Sequence, residues 1–97
     1  MNDENPPLQI EIDDGVARGI YTNLALLTHS ETEFILDFLF IQPQTPKTKV
    51  LTRLVTSPVH AKRLMTALAD NIAKYEARFG TIAAAEPSAP PRPGVYQ

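Results

Sequence analysis

A cluster of cationic side chains lies at the start of a predicted helix, in the stretch TSPVHAKRLMTAL. Ser57 is a typical N-cap residue, and Pro58 suits the first helical position, where no N–H is needed. His60, Lys62 and Arg63 follow at once, although a helix start favours acidic side chains. Backbone N–H groups together with such cations are typical of an anion-binding site.

The charge distribution allows two interpretations of this cluster. Residues 1–37 contain eight acidic residues and one arginine, whereas residues 47–63 contain five basic residues and no acid. The bases can pair with acids of the first strands or of a partner chain, which is the common role of solvated charges. Alternatively, they form a patch that binds an anion or an acidic protein. The residues of this candidate patch are Lys49, Arg53, His60, Lys62 and Arg63.

Neither histidine belongs to a recognisable catalytic or metal-binding motif. His29 and Ser30 lie where a hairpin turn needs small polar residues, with no sign of a nucleophile elbow. Metal binding by His29 and His60 with Asp13 or Asp14 would lack any typical ligand spacing. The chain has no cysteine, and its four glycines form no phosphate loop. We therefore expect no catalytic residue, metal or cofactor, and a protein that is not an enzyme.

The length of 97 residues allows one domain, which we place at residues 8–82. We expect residues 1–7 and the tail of residues 83–97 to be disordered, because the tail holds four of the nine prolines. No basic segment followed by an apolar one opens the chain, and its apolar runs are too short to span a bilayer. We expect a cytoplasmic protein without membrane contacts. A sequence pI near 5.6 argues against general nucleic-acid binding.

Four segments have the alternation of apolar residues that is typical of β-strands. The first is LQIEIDD, which is followed by DDGVARG, where Asp14 caps a single helical turn or belongs to a plain turn. IYTNLALLTH is the second, TEFILDFLFIQ the third and KVLTRLVT the fourth. The turn HSET joins the second to the third. Short connections favour an antiparallel meander, because parallel pairing needs long crossovers.

The third strand is apolar on both faces, except at Asp37. Such a strand is usually central and covered on both sides, and in so small a chain the second cover is expected from another subunit. We interpret Asp37 as the partner of Arg53 on the neighbouring strand, in a structural ion pair.

A helix of about 22 residues is predicted from Pro58 to Phe79, with Gly80 as its stop. Its apolar residues recur at helical spacing, so we expect the helix to pack on the sheet. The same spacing also fits a short coiled-coil seam. The predicted fold is α+β: a four-stranded antiparallel β-meander with one long C-terminal helix packed on it, assembled as a dimer or higher oligomer. The candidate oligomer interface consists of Ile35, Leu39, Ile41, Met65, Leu68, Ile72, Tyr75 and Phe79.

The order of these signals resembles a small bacterial family of uncharacterised proteins, domain of unknown function 3467. The resemblance is carried by IEIDDGVARGIYTNLALLTHSETEFILDF and PKTKVLTRLVTSPVHAKRLMTALADNIAKYEARFG, and thus by nearly the whole foldable region. The PQTP loop is less glycine-rich than the family leads one to expect. The resemblance implies a small α+β unit and supplies no catalytic residue.

Three functional hypotheses follow. The first is a non-enzymatic protein-interaction or assembly module that forms a homo-oligomer. The second is a holdase chaperone that binds apolar segments, by likeness of layout to the SecB export chaperone. The third is binding of an anion or a nucleic acid through the basic segment of residues 47–63.

Overall fold

A computed structural model describes residues 7–83 as an α+β unit. This confirms the predicted fold class, with an antiparallel sheet and one long C-terminal helix. The predicted disorder of residues 1–6 and 84–97 lies outside the described residues. In chain order the elements are α1 (Asp14–Ala17), β1 (Leu24–His29), β2 (Phe34–Leu39), β3 (Val50–Thr56) and α2 (Pro58–Phe79).

The sheet is an antiparallel meander in the order β1-β2-β3, so β2 is the central strand as predicted. The predicted turn between β1 and β2 is confirmed. Its backbone is closed by a hydrogen bond of 2.9 Å from the Ser30 N–H to the carbonyl of Glu33. The Ser30 hydroxyl oxygen also accepts from the Glu33 N–H at 3.2 Å. A small polar side chain is needed here because it reaches the backbone of its own turn.

Asn23 extends the pairing of β1 with β2 beyond the last strand residues. Its amide nitrogen donates to the carbonyl of Ile41 at 2.9 Å, and its amide oxygen accepts from the N–H of Ile41 at 2.8 Å. The Asn23 N–H donates to the carbonyl of Leu39 at 3.0 Å. The side chain thus substitutes for a backbone partner at the point where β1 begins.

The bounds of α2 agree with the sequence prediction. Ser57 accepts a hydrogen bond from the His60 N–H at 3.1 Å, and Pro58 occupies the first turn. Gly80 ends the helix with φ +99°, and its N–H donates to the carbonyl of Glu76. The conformation at Gly80 is one that L side chains rarely adopt, which explains why a glycine terminates the helix.

The segment of residues 8–13 is not a strand, so the described sheet has three strands and not the predicted four. The apolar residues of the segment remain solvent-exposed, at 85% for Leu8, 86% for Ile10 and 65% for Ile12. Alternation shows that one face of a segment is suited to burial, but a strand also needs a ladder partner. No such partner is present among the described residues of the single chain. The single helical turn α1 follows directly, with Asp13 rather than Asp14 at the N-cap position and without a side-chain cap.

Contrary to the prediction, α2 does not pack extensively on the sheet of its own chain. The extensive contacts between elements are those of neighbouring strands. Ser57 alone joins β3 to α2, and a link of one residue leaves no loop in which the helix could reverse over the sheet. Within the described residues, the core contains one buried apolar side chain, that of Leu39, which is 5% exposed. No helix in this part of the chain is both long and apolar enough to cross a membrane.

Candidate functional site

The buried carboxylate of Asp37 on β2 forms an ion pair with Arg53 on the adjacent strand β3. Asp37 lies between Leu26 of β1 and Arg53 of β3 in the register of the sheet. The Arg53 Nε and Nη2 groups donate to the two carboxylate oxygens of Asp37, each at 2.8 Å. The Asp37 side chain is inaccessible to solvent, whereas that of Arg53 is 55% exposed. This confirms the predicted ion pair.

The pair holds both groups in their charged forms. The hydrogen bonds from Arg53 lower the pKa of Asp37 below its ordinary value of 3.8, although burial acts in the opposite direction. In turn, the hydrogen bond and charge of Asp37 raise the pKa of Arg53. Asp37 is therefore an ionised structural group at neutral pH, with its oxygens already occupied, and is unsuited to proton transfer.

The residues of the predicted anion patch have different surroundings. Arg53 is directed to Asp37, and the His60 N–H at the helix start is already bonded to Ser57. Lys62 and Arg63 line one shallow surface depression on α2. Lys49 precedes β3 and does not line this depression. Lys62 and Arg63 are thus the two patch residues that share this surface depression.

The residues considered for catalysis make contacts within their own turn, hairpin or helix. The His29 ring stacks on Phe34, its partner in the register across the hairpin, with ring centroids 5.3 Å apart. Ser30 closes the turn between them. Asp13 accepts backbone hydrogen bonds from the first turn of α1 through its carbonyl. Among residues 7–83, no group of three or more histidines and acids is arranged to hold a metal ion.

The candidate oligomer interface is accessible on α2 and mostly covered on the sheet. Leu39 is only 5% exposed, Ile35 is half-buried, and Ile41 lies at the margin of exposure. By contrast, every large apolar residue on one face of α2 is between 40% and 65% exposed. We call this face the helix stripe; it consists of Leu64, Met65, Leu68, Ile72, Tyr75 and Phe79.

The C-terminal end of the helix stripe is aromatic. The rings of Tyr75 and Phe79 lie 5.0 Å apart, and the Arg78 guanidinium lies 5.4 Å from the centre of the Phe79 ring. The Ile82 N–H donates to the carboxylate of Glu76 at 2.9 Å, which holds the chain beyond the helix against its last turn. Aromatic residues next to arginine are typical of the buried centres of protein interfaces.

A second apolar surface was not identified from the sequence. In the register of the sheet, Leu27, Leu36 and Leu54 form one row across β1, β2 and β3. The two outer leucines remain 65% and 49% exposed. The alternation of β1 and β3 contained this signal, but only the register brings the three residues into line.

Comparison with curated proteins and with solved structures found no match. The family model described as "Protein of unknown function (DUF3467)" matches residues 1–84, which is most of the chain and includes every described element. The match confirms the resemblance carried by the strand and helix motifs. The chain therefore belongs to the DUF3467 family.

Proposed function

We propose that this protein is a non-enzymatic interaction module that assembles as a homo-oligomer through the helix stripe of α2. The observation that carries the proposal is the exposure of six large apolar side chains on one helix face, none of which packs extensively on the sheet. A contiguous apolar face of this kind marks an interaction site in a folded protein. A second copy is a suitable partner because it presents the same stripe.

Covering the helix stripe would add stabilisation from apolar burial that the single chain lacks. Full burial of a large apolar side chain contributes about 1.5–3 kcal/mol. Each stripe residue is between 40% and 65% exposed, so roughly half of this contribution is unrealised in the single chain. In a two-fold dimer both helices contribute equally, which doubles the gain for one association.

The charges of the chain support association with a copy of itself. The acidic N-terminal region of residues 1–37 and the basic segment of residues 47–63 are complementary. Of the five bases in that segment, Arg53 has its acidic partner within the chain at Asp37. The remaining bases form no ion pair with another described residue, so acids of a neighbouring copy are available partners.

The two alternative hypotheses have weaker support. A holdase would expose Leu39 with Ile35 and Ile41, yet Leu39 is buried in its own sheet. An anion site built on the basic segment would use Arg53 and the N–H groups of the helix start, yet Arg53 is bonded to Asp37 and the His60 N–H to Ser57. Both hypotheses would gain support if the experiment below contradicted the homo-oligomer.

The test is the solution mass of the full chain by multi-angle light scattering, at low and high salt and over a range of concentrations. We expect an oligomer whose mass persists at high salt, because apolar burial is not screened. Leu68→Lys should shift the mass toward the monomer, since it places a charge in the helix stripe. Ala73→Lys is the matched control, because it adds the same charge on another side of the helix and should leave the mass unchanged.

A monomeric wild-type chain would contradict the proposal. Equal masses for the two lysine variants would also contradict it, by showing that the helix stripe is not the interface. An oligomer that dissociates at high salt would assign association to the basic segment instead. Circular dichroism of each variant should retain the helical signal, so that a change of mass reports assembly and not unfolding.

A further inference from the structure

We propose that the segment of residues 8–13 is a donated strand, which pairs in antiparallel orientation with the free edge of β3 in a second copy of the chain. The proposal rests on the homo-oligomer proposed above and adds how its subunits exchange structure. It accounts for a segment that has the pattern of a strand but pairs with no strand among residues 7–83.

Both halves of the proposed strand pair lack a ladder partner among the described residues. Because the sheet has the order β1-β2-β3, one edge of β3 carries backbone groups without a ladder partner in the described chain. The segment of residues 8–13 has the same need, and its Leu8, Ile10 and Ile12 are at least 65% exposed. Addition of an extended segment to a sheet edge satisfies both sets of backbone groups.

Charge distinguishes the two edges of the sheet. The segment carries Glu11 and Asp13, and Asp14 follows it. β3 is preceded by Lys47 and Lys49, which form no ion pair with another described residue, whereas β1 contains no lysine or arginine. Opposite charges on paired strands stabilise a sheet, so the acidic segment fits β3 and not β1.

An antiparallel pairing in one particular register fits both the charges and the alternation of the segment. An antiparallel arrangement brings the acidic end of the segment to the start of β3, near Lys49. If Glu11 lies beside Arg53, alternation places Ile10 beside Leu54. Ile10 then extends the leucine row of β1, β2 and β3, in which Leu54 is the outermost residue and is 49% exposed. A slip of one residue would instead place Ile10 beside the charge of Arg53.

The absence of cysteine from the chain provides a direct test. Full-length Ile10→Cys is mixed with a tagged Leu54→Cys protein, and the disulfide-linked mixed dimer is measured by mass after mild oxidation. The control mixture replaces Leu54→Cys with Leu27→Cys. Leu27 occupies the other end of the same leucine row, on β1, and is also exposed. We expect at least about tenfold more mixed dimer with Leu54→Cys, because strand pairing raises the effective concentration of the two thiols.

A second pair in the same register, Leu8→Cys with Thr56→Cys, should also cross-link. It keeps the test valid if Leu54→Cys does not fold. The double variant Ile10→Cys/Leu54→Cys shows whether residues 8–13 pair with β3 of a second copy or with β3 of their own chain. An intramolecular disulfide without covalent dimer would overturn the proposal. Preferential cross-linking to Leu27→Cys, or equal yields in both mixtures, would overturn the choice of β3. An oligomer by light scattering that shows no cross-link would overturn strand donation alone, whereas a monomer would overturn the proposed function as well.

Discussion

Arg53 donates to both carboxylate oxygens of Asp37, each at 2.8 Å, across the central and outer strands of the sheet. Asp37 is the one polar side chain of the described residues that is fully buried. A buried carboxylate depends on such a partner, because without it the charge would be taken out of water uncompensated. The pair also favours one register of β2 and β3, since a slip of one residue would move Asp37 to the other face of the sheet.

Arg53→Met should lower the thermal unfolding temperature, because it removes the partner of a buried charge. The matched control is Lys74→Met, which breaks the exposed pair of Lys74 with Asp70, whose charged atoms are 3.4 Å apart. A pair of this kind on a helix surface contributes only about 0.3–0.5 kcal/mol. Circular dichroism melts at one protein concentration would contradict the assigned role of Arg53 if the two variants lost the same stability.

The stability that Asp37 supplies should depend on pH in a defined direction. Its pKa in the fold is lowered from 3.8, so its contribution is fully present above the unfolded value and is lost as the pH falls through the folded value. Asp37→Asn removes this titration and leaves the other carboxyl groups in place. The difference in melting temperature between wild type and Asp37→Asn should be constant near neutral pH and shrink only below about 3.8. A difference that shrinks already near neutral pH would be inconsistent with a lowered pKa.

Ser57→Ala should destabilise α2, because the His60 N–H loses the acceptor that lies 3.1 Å away. Loss of an N-cap side chain costs about 1 kcal/mol, which corresponds to roughly 4–8 °C in the melting temperature of a small domain. Ser57→Asp retains an acceptor at the same position and should stay close to the wild type. Equal melting temperatures for Ser57→Ala and wild type would show that the cap contributes nothing.

Leu39→Ala should be the more destabilising of two leucine truncations in the sheet. Leu39 is 5% exposed and Leu27 is 65% exposed, so the first variant leaves a cavity and the second mainly alters the surface. We expect a loss of about 2–5 kcal/mol for Leu39→Ala and of less than about 1 kcal/mol for Leu27→Ala. Urea denaturation at a fixed protein concentration measures both. Comparable losses would mean that Leu27 is buried in the assembled protein.

Local features of this protein could be predicted from its sequence because their physical causes are local. The cap of Ser57, the proline that follows it and the stop at Gly80 define α2 between Pro58 and Phe79, as the structure has it. The hairpin closed by Ser30 was predictable for the same reason. The pairing of Asp37 with Arg53 was also within reach, because a single charge on an apolar strand face requires a partner on the next strand.

Which surfaces cover one another was decided only by the tertiary structure. The periodicity of α2 and the alternation of residues 8–13 identified faces suited to burial, but neither pattern contains the identity of the covering partner. The one-residue link at Ser57 separates the helix stripe from its own sheet, and the described chain offers residues 8–13 no ladder partner. Apolar burial is non-directional, so a sequence determines that a face must be covered, whereas geometry determines what covers it.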